Sequence, residues 1–346
     1  MDILIVKVSS IGDVIHTLPA LNALRAHFPD ARITWLVEEA ASALVTSHPA
    51  VDRVLVLKRR RWRRGLLGPS GLKNAKELFH FVAELRDTTY DLVIDFQGLM
   101  KSAVMVGLCR GKRKIGYDRT REWSHLVLDE RIEPYDRNAH AIHRYLNLIR
   151  HLNVDTSEIV FEIPYGKKEM LRVQTMLHKG GWSHAQPIVA MNPVARWETK
   201  LWGAWNFAHL ADRLITESGC LVVFTGGRAD SEEISKIRSM MKCGYMDLSG
   251  RTDLRELAAL YERSTCVVST DTGPMHLAAA IETPVVALFG PTAPWRTGPF
   301  GEGHQAMRSD ISCSPCFKRR CDSVACMRNI SVSQVFDSVA AILKRS

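Results

Sequence analysis

The chain has 346 residues, 46% of them apolar, so it is long and apolar enough for two domains that each bury a core. Its apolar runs are shorter than the roughly 18 residues of a membrane span, and Asp2 stands where a secretory signal has basic residues, so we expect a cytoplasmic protein. The formal net charge is +9, and six positive charges fall between Lys58 and Arg64. This local excess favours one anionic ligand over nucleic acid bound to an evenly basic surface.

Short apolar runs alternate with helical segments along the chain, and the runs are rich in Val, Ile and Leu, as parallel strands buried on both faces are. The alternation predicts an α/β fold with two Rossmann-like, doubly wound domains facing a central cleft. In the first half we predict strands at 3–8, 32–37, 53–58, 91–96 and 114–117, and helices at 14–28, 38–47, 73–88, 98–109 and 137–153. In the second half we predict strands at 187–193, 220–226, 245–250, 265–270 and 284–290, and helices at 203–218, 230–242, 253–263 and 274–281.

The same pattern divides the chain. It predicts an N-terminal domain over 1–163, a linker over 164–183, a C-terminal domain over 184–330 and a terminal helical segment over 331–346.

The first strand leads into KVSSIGDVIHTLPAL, where Ser10 and Gly12 allow a tight turn and Asp13 stands at the junction with a helix. A carboxylate at a helix start is stabilised by free N–H groups and the helix dipole, so Asp13 is a cap on one interpretation. On the other it is a general base, kept ionised by the dipole and placed at the cleft. Pro19 predicts a kink or a delayed start of this helix.

The stretch STDTGPMHLAAA (269–280) predicts a phosphate site. A strand ends at Thr270, a glycine turn follows, and Pro274 suits the first helical position. Such a helix N-terminus binds anions, although a well-capped helix without a ligand has the same pattern. The candidate donor contacts here are Asp271, Thr272, Gly273, Met275 and His276.

Two further strand ends in the second half carry polar residues. FTGGRAD (224–230) lacks the full dinucleotide fingerprint, and Asp230 is our choice among its nearby acids for binding ribose hydroxyls. MNPVARWETKLW (191–202) offers Arg196 and Lys200, and a lysine there can neutralise a departing diphosphate. The competing interpretation is an ordinary solvated lysine.

Polar residues in the first half suggest where an anionic acceptor binds. The run KRRRWRRG (58–65) is either a solvated loop or an anion site, and mutual repulsion of its charges favours the anion site. DFQGLMKS (95–102) is another strand end, and HAIHRYL (140–146) places a His and an Arg on one helix face. The candidates from these segments are Arg60, Arg61, Arg63, Arg64, Gln97, Lys101, His140 and Arg144.

Four cysteines near the C-terminus are spaced C-x2-C-x4-C-x4-C: Cys313, Cys316, Cys321 and Cys326. Four thiolates can hold zinc or an iron–sulfur cluster. The spacing matches no standard zinc knuckle, so plain loop cysteines and no resident metal are the favoured interpretation.

With these motifs in hand, the chain resembles the lipopolysaccharide heptosyltransferases, the ADP-heptose glycosyltransferase family 9 with the two-domain GT-B fold, and is most similar to the heptosyltransferase I branch. The stretches KVSSIGDVIHTLPAL, IDFQGLMKS, the arginine run with Trp62, and DTGPMHLAAAIETPVVALFGPT carry the resemblance, which extends over essentially the whole chain.

The resemblance implies roles for these residues. Asp13 matches the catalytic aspartate, Lys200 the donor-phosphate lysine, residues 271–276 the donor-binding turn, and Arg60, Arg61, Arg63 and Arg64 the basic residues that grip the acceptor. It implies inverting transfer of heptose from ADP-L-glycero-D-manno-heptose to a Kdo residue of Kdo2-lipid A, with no cofactor, by a monomer at the inner face of the cytoplasmic membrane. It also implies an acceptor-binding N-terminal domain, a nucleotide-sugar-binding C-terminal domain, and a last helix that packs back toward the N-terminal domain.

Rival functions stay open at this point. A sibling enzyme that adds a later heptose, or uses another nucleotide sugar, has the same motifs. An NAD-dependent oxidoreductase is disfavoured by the missing G-x-G-x-x-G, and a nucleic-acid-binding protein requires no sugar nucleotide.

Overall fold

The computed structural model describes residues 1–65, 71–120 and 122–345, with only the backbone described for residues 63–65. The chain divides into two compact units, Met1–Pro164 and Tyr165–Ser346. Among the described residues, every helix is too short or too polar to cross a lipid bilayer.

The first unit is built on a parallel six-stranded sheet in the order β3-β2-β1-β5-β7-β8. Its central strand is buried from Ile3 to Val6 because helices cover both faces of the sheet. The strands are β1 (Asp2–Val6), β2 (Arg32–Glu38), β3 (Arg53–Leu57), β5 (Leu92–Asp95), β7 (Lys114–Tyr117) and β8 (Glu130–Ile132), and a separate pair is formed by β4 (Thr89–Tyr90) and β6 (Arg110–Gly111).

The helices of the first unit follow the predicted order. They are α1 (Ile11–His27), α2 (Arg59–Gly65), α3 (Gly71–Arg86), α4 (Met100–Leu108) and α5 (Ala141–Arg150), with 3-10 turns at Glu39–Leu44 and Ser124–Val127. The helix predicted at 38–47 is therefore only a 3-10 segment.

Helix α1 corrects a second prediction. It begins at Ile11, three residues before the predicted start, and Pro19 lies in its interior. The delayed start predicted from Pro19 is wrong because Ser10 and Asp13 cap the first turn, which satisfies N–H groups that Pro19 does not affect. The shift places Asp13 inside the first turn.

The second unit repeats the architecture, with a parallel sheet in the order β11-β10-β9-β12-β13-β14. Its strands are β9 (Ile188–Asn192), β10 (Leu221–Phe224), β11 (Met246–Asp247), β12 (Cys266–Thr270), β13 (Val285–Phe289) and β14 (Gln305–Arg308). Its helices are α6 (Lys167–Lys179), α7 (Ala204–Ser218), α8 (Ser231–Met240), α9 (Leu254–Arg263), α10 (Gly273–Ala280), α11 (Pro294–Thr297), α12 (Ala325–Arg328) and α13 (Val332–Leu343), with 3-10 turns at Glu198–Lys200 and Arg228–Asp230.

The ends of the second unit bear on the predicted domain boundaries. Helix α6, which lies in the segment predicted as a linker, packs against α9. The terminal helix α13 packs on α7, β12 and β13, and Val335, Val339 and Ile342 join the core of this unit. Its apolar face is thus used within the second unit, and the expected packing toward the N-terminal domain stays a prediction.

Candidate active site

Each sheet has one point where the strand order reverses, and the candidate residues follow the strands at that point. In the first unit the reversal lies between β1 and β5, after which come Asp13 and Gln97. In the second it lies between β9 and β12, after which come Lys200 and Asp271. In open α/β sheets, ligands bind outside the strand ends at such a reversal.

Asp13 is held in place by the turn that precedes it. Its Oδ2 atom accepts hydrogen bonds from the backbone N–H of Ser10 at 3.0 Å and from the Ser10 hydroxyl at 2.9 Å. Ser10 is the N-cap of α1, so the two residues form a capping box. The cap interpretation of Asp13 is therefore correct, and it leaves the Oδ1 atom for other partners.

A buried lysine supports the other oxygen through a tyrosine. Oδ1 of Asp13 accepts a hydrogen bond of 3.0 Å from the Tyr145 hydroxyl. That hydroxyl in turn accepts one of 2.6 Å from Nζ of Lys7, which also donates to the Phe96 carbonyl at 2.9 Å. Nζ of Lys7 lies 4.2 Å from the centre of the Tyr145 ring. Lys7 is only 1% exposed, so its charge acts on Asp13 with little screening by solvent.

The pKa values of these groups favour an ionised Asp13. Burial alone raises its pKa, but the charge of Lys7 and the hydrogen bonds from Ser10 and Tyr145 bring the pKa below its ordinary value. Burial lowers the pKa of Lys7 to about 8, against the attraction of Asp13 and Asp95. Burial and the charge of Asp13 raise the pKa of Tyr145 well above its ordinary value, so Tyr145 stays a donor.

The turn after β5 fixes the backbone on which Asp13 depends. Asp95 accepts hydrogen bonds from the N–H groups of Gln97 and Gly98 at 2.9 and 3.1 Å, and Gly98 has a φ of +61°. Oε1 of Gln97 then accepts from the N–H groups of Val8 and Ser9 at 3.1 and 2.9 Å. Burial raises the pKa of Asp95 despite these donors. Gln97, predicted to contact an acceptor, thus has its oxygen committed to the backbone.

The first unit also contributes several cations to the candidate site. Nζ of Lys101 donates to the Ser9 hydroxyl and lies 3.9 Å from Oε1 of Glu38, which also pairs with Arg59 at 3.0 Å. Arg144 is half-buried, and its Nε has no hydrogen-bond partner among the described residues. Such a group is satisfied by an anion or by water.

The arginine run forms α2 rather than a loop. Arg60 is exposed, Arg61 pairs with Glu77 of α3 at 3.0 Å, and Trp62 is buried. The side chains of Arg63 and Arg64 lie outside the described residues. His140 caps α5, where its Nδ1 accepts from the N–H of Ile142 at 3.4 Å, and its ring stacks edge-on against His16. Gly12 is buried in the first turn of α1.

The central candidate residue of the second unit is the cation Lys200, whereas that of the first unit is the anion Asp13. Nζ of Lys200 lies 2.6 Å from Oδ2 of Asp271 and donates to the Asp271 carbonyl at 3.1 Å. Asp271 is buried and also accepts a hydrogen bond of 2.7 Å from the Thr292 hydroxyl. Lys200 Nζ lies 4.8 Å from the centre of the Trp197 ring, and the guanidinium of Arg319 lies 5.0 Å from the same ring.

Helix α10 starts beside this pair, as the glycine turn predicts. Thr272 is its N-cap, and the Thr272 hydroxyl donates to Oδ1 of Asn192 at 3.4 Å, across the point where the strand order reverses. Gly273 and Pro274 form the first turn. His276 Nε2 lies 4.0 Å from Oδ1 of Asp271, and the Met275 side chain is buried in the core. The helix N-terminus and the Lys200 ammonium together suit an anion.

The other predicted donor contacts are less constrained. Arg196 is exposed in the loop after β9. Asp230 accepts a hydrogen bond of 2.7 Å from the N–H of Gly227, which closes the glycine turn, and it caps α8. Its assignment to a ribose stays a prediction.

The four C-terminal cysteines are free thiols, with Cys313 and Cys321 exposed, Cys316 half-buried and Cys326 buried. In the described ranges, no three His, Cys, Asp or Glu side chains are arranged to hold a metal ion. The zinc or iron–sulfur interpretation therefore has no support.

Sequence reasoning missed the supporting residues Lys7, Tyr145 and Thr292, whereas Asp95 belongs to the strand end that the sequence had singled out. The position of Lys7 could have identified it, because it directly follows a strand that is apolar on both faces. A lysine at such a position is buried only when it has partners for its charge. Tyr145 comes from a helix 132 positions away, and no local pattern connects it with Asp13.

Comparison with known proteins identifies the family. The sequence model of glycosyltransferase family 9 (heptosyltransferase) matches residues 78–326. Lipopolysaccharide heptosyltransferase 1 of Pseudomonas aeruginosa is 32% identical over 324 residues, which cover 93% of this chain and 87% of that protein. The protein of the same name from Escherichia coli K12 is 30% identical over 311 residues, which cover 89% and 94%.

Solved structures agree with these matches. The structure of an E. coli heptosyltransferase with ADP aligns with a TM-score of 0.77 at 26% identity, over 99% of this chain and 100% of that one. A family 9 glycosyl transferase from Veillonella parvula aligns with a TM-score of 0.84 at 24% identity, over 100% and 98%. The GT-B fold class predicted from the sequence is thereby confirmed, and the chain belongs to glycosyltransferase family 9, the heptosyltransferase family.

Proposed function

We propose that this glycosyltransferase is a heptosyltransferase of type I. It moves L-glycero-D-manno-heptose from ADP-heptose to a Kdo residue of Kdo2-lipid A, in the assembly of the lipopolysaccharide inner core. Curated relatives at about 30% identity over most of the chain support this assignment over transfer of a later heptose.

Asp13 is the general base of the proposed reaction. The observation that carries this role is an ionised carboxylate fixed by Ser10, Tyr145 and Lys7 at the carboxyl end of β1. Oδ1 or Oδ2 takes the proton of the acceptor hydroxyl while its oxygen attacks the anomeric carbon of heptose. The bond from that carbon to the diphosphate breaks in the same displacement, so the anomeric centre inverts and ADP leaves with the bonding electrons.

The second unit stabilises the leaving group. Lys200, steadied by Asp271, and the N-terminal turn of α10 face the growing negative charge on the diphosphate. Thr272, Gly273 and His276 complete the phosphate contacts, and Arg196 and Asp230 lie in loops that reach the rest of the nucleotide sugar.

The acceptor is anionic, and the first unit supplies cations for it. Arg60, Arg61, Arg63 and Arg64 of α2 bind carboxylate and phosphate groups, and Arg144 has an Nε atom without a hydrogen-bond partner among described residues. Further acceptor contacts are proposed for Ser10, Gly12, Gln97, Lys101 and His140. Because this acceptor is lipid-linked, we propose that the protein associates peripherally with the inner face of the cytoplasmic membrane. We also propose that it acts as a monomer.

One assay tests the proposal. Purified protein is incubated with ADP-heptose and de-acylated Kdo2-lipid A, and the product is identified by mass. We expect addition of one heptose, and no product with UDP- or GDP-sugars. Product that forms only on an acceptor already carrying heptose would replace type I by the later-heptose alternative, and absence of any product would overturn the assignment.

A further inference from the structure

We propose that the outward face of α3 docks on the surface of an anionic phospholipid bilayer. This rests on the proposed function only in that a lipid-linked acceptor brings the protein to a membrane. The docking itself is a separate property, measurable without donor or acceptor.

The outward face has an unusual composition. Helix α3 buries Asn74, Phe81 and Leu85 against the first unit. On the opposite side, Leu72 is 92% exposed and Phe79 is 73% exposed, seven positions apart and hence on one stripe of the helix. Two large apolar side chains on one exposed stripe are typical of an interaction surface.

The charges of this stripe have one sign. Helical spacing places Lys76 between Leu72 and Phe79, with Ala83 one turn beyond. The acids Glu77 and Glu84 fall on a flank of the helix, where Glu77 is bonded to Arg61 and Trp62. Apolar residues with intervening cations are the pattern of helices that lie at the interface of an anionic membrane.

The charge extends beyond the stripe into α2. Residues 58–86 contain nine lysines and arginines against two acids, so most of the formal excess of +9 lies in this stretch of the chain. Each basic side chain near an anionic leaflet adds to the attraction. The stripe on α3, proposed to meet the lipid surface, and the arginines of α2, proposed to bind the anionic acceptor, are thus neighbours along the chain.

Helices α2 and α3 are fixed to one another. Arg61 and Glu77 form an ion pair at 3.0 Å, and the Trp62 ring packs on the Phe81 ring at 5.3 Å between centroids. Helix α2 therefore lies against the inner side of α3, while the stripe faces outward.

The same charges argue against a second copy of this chain as the occupant. A symmetric contact through the stripe brings Lys76 close to its own equivalent in the second copy. Like charges at a desolvated contact are unfavourable, whereas anionic headgroups neutralise them. Charge complementarity thus commits the stripe to a lipid surface.

Vesicle binding tests the proposal. Full-length protein without substrates is sedimented with vesicles of phosphatidylcholine alone or with 30% phosphatidylglycerol, for the natural chain and for Leu72→Asp/Phe79→Asp. We expect the natural chain to bind the anionic vesicles at least tenfold more tightly than the neutral ones. The double variant should lose about tenfold in affinity for the anionic vesicles. The matched control is Leu171→Asp, which places the same change at a 66% exposed leucine on α6 of the second unit and should bind as the natural chain does.

Further readouts separate the outcomes. Thermal unfolding and circular dichroism identify a double variant that has lost its fold, and Phe79→Asp alone then replaces it. Equal binding by the double variant and the natural chain, or no binding by the natural chain, overturns the proposal. A natural chain that is dimeric in sedimentation, and that Leu72→Asp/Phe79→Asp makes monomeric, shows a protein interface instead.

Activity assays test whether vesicle binding contributes to turnover, and the vesicle-binding measurement does not depend on their outcome. On a de-acylated acceptor the double variant should turn over as the natural chain does, and on vesicle-embedded acceptor it should be at least fivefold slower. Failure of the natural chain to use either acceptor contradicts the proposed function and leaves the vesicle-binding result intact.

Discussion

Each unit places one candidate charged residue next to a buried residue of opposite charge, and the two signs are exchanged between the units. In the first unit the proposed base is an anion, Asp13, supported by the more deeply buried cation Lys7 through the hydroxyl of Tyr145. In the second unit the candidate residue is a cation, Lys200, supported by the more deeply buried anion Asp271, which a threonine hydroxyl also contacts. Each supporting charge is buried, Lys7 at 1% exposure and Asp271 at 6%, so solvent screens its attraction for its partner only weakly.

The comparison also shows a difference. Asp13 and Lys7 communicate through a neutral hydroxyl, whereas Lys200 and Asp271 are in direct contact at 2.6 Å. A direct pair must share the ammonium with an incoming diphosphate, while Asp13 keeps its support when a substrate hydroxyl arrives. Each substitution below changes residues of one unit and leaves the charged residues of the other unit unchanged.

The largest effect is expected from Asp13→Ala. Removal of a general base lowers kcat on the order of 10²–10⁴-fold, while ADP-heptose affinity should change by less than about threefold. Steady-state kinetics and calorimetric titration of the donor measure the two quantities. Asp13→Asn keeps a capping oxygen and serves as the fold-preserving comparison, and the exposed Asp30→Ala is a neutral control. Turnover retained in both position-13 variants would remove this residue from the proton-transfer step.

Lys200→Ala should rank second. The leaving diphosphate loses a charge-matched donor, so kcat falls by about 10²-fold and donor affinity weakens too. Asp13→Ala and Lys200→Ala thus differ in the donor titration, where only the second is expected to shift. Lys179→Ala, at an exposed lysine of α6, is the matched control. A donor affinity that is unaffected by Lys200→Ala would speak against phosphate contact.

Removal of Arg60 and Arg61 should act on the acceptor alone. Loss of charge-assisted hydrogen bonds worth ~1.5–3 kcal/mol corresponds to a rise of roughly tenfold or more in the KM for the acceptor. The KM for ADP-heptose should stay within twofold. The exposed Arg110→Ala controls for a general loss of positive charge. Parallel increases in both KM values would contradict an acceptor role.

Lys7→Met should have the smallest but most specific effect. Asp13 must be ionised to act, so kcat/KM falls as the pH drops through its lowered pKa. Without Lys7 that pKa rises, and the acidic limb of the pH profile moves upward by about one unit. Tyr145→Phe keeps the charge of Lys7 and should move the same limb less. An unmoved limb in Lys7→Met would show that Lys7 has only a structural role.

The stability of Lys7→Met provides an independent check. Folding lowers the pKa of Lys7 from 10.5 to about 8, so between these pH values the unfolded chain binds more protons than the native one. The free energy of unfolding contributed by this group therefore rises as the pH increases from 8 to 10.5. The natural chain should show this rise relative to Lys7→Met in chemical denaturation at pH 8 and pH 10.5.

Much of the fold was predictable because its central strands are apolar on both faces. The edge strands β8 and β14 were not, since Glu130–Ile132 and Gln305–Arg308 are short and polar. A short polar strand gives little signal in the sequence, whereas the edge strand β3 (Arg53–Leu57) is apolar enough to be predicted. The helix predicted at 38–47 is a separate error, because its buried residues Ala41 and Leu44 lie on a 3-10 turn at Glu39–Leu44.

The positions of Asp13 and Asp271 were predictable because each follows a strand and lies at the start of a helix, and their roles stay predictions. Their supporting residues were not predictable, because Lys7–Tyr145 and Asp271–Thr292 contacts depend on how distant elements pack. A lysine directly after a buried strand indicates that an acidic partner lies nearby, but only the packed structure identifies that partner.

The capping box of α1 has a consequence for the catalytic cycle. The carboxylate that is proposed to take the acceptor proton also holds the first turn of its helix through Ser10. A neutral acid is a weaker cap than an anion, so each proton transfer loosens that turn until the proton is lost to solvent. If Asp13 is the base, proton transfer thus weakens the start of α1 at the moment when product has to depart.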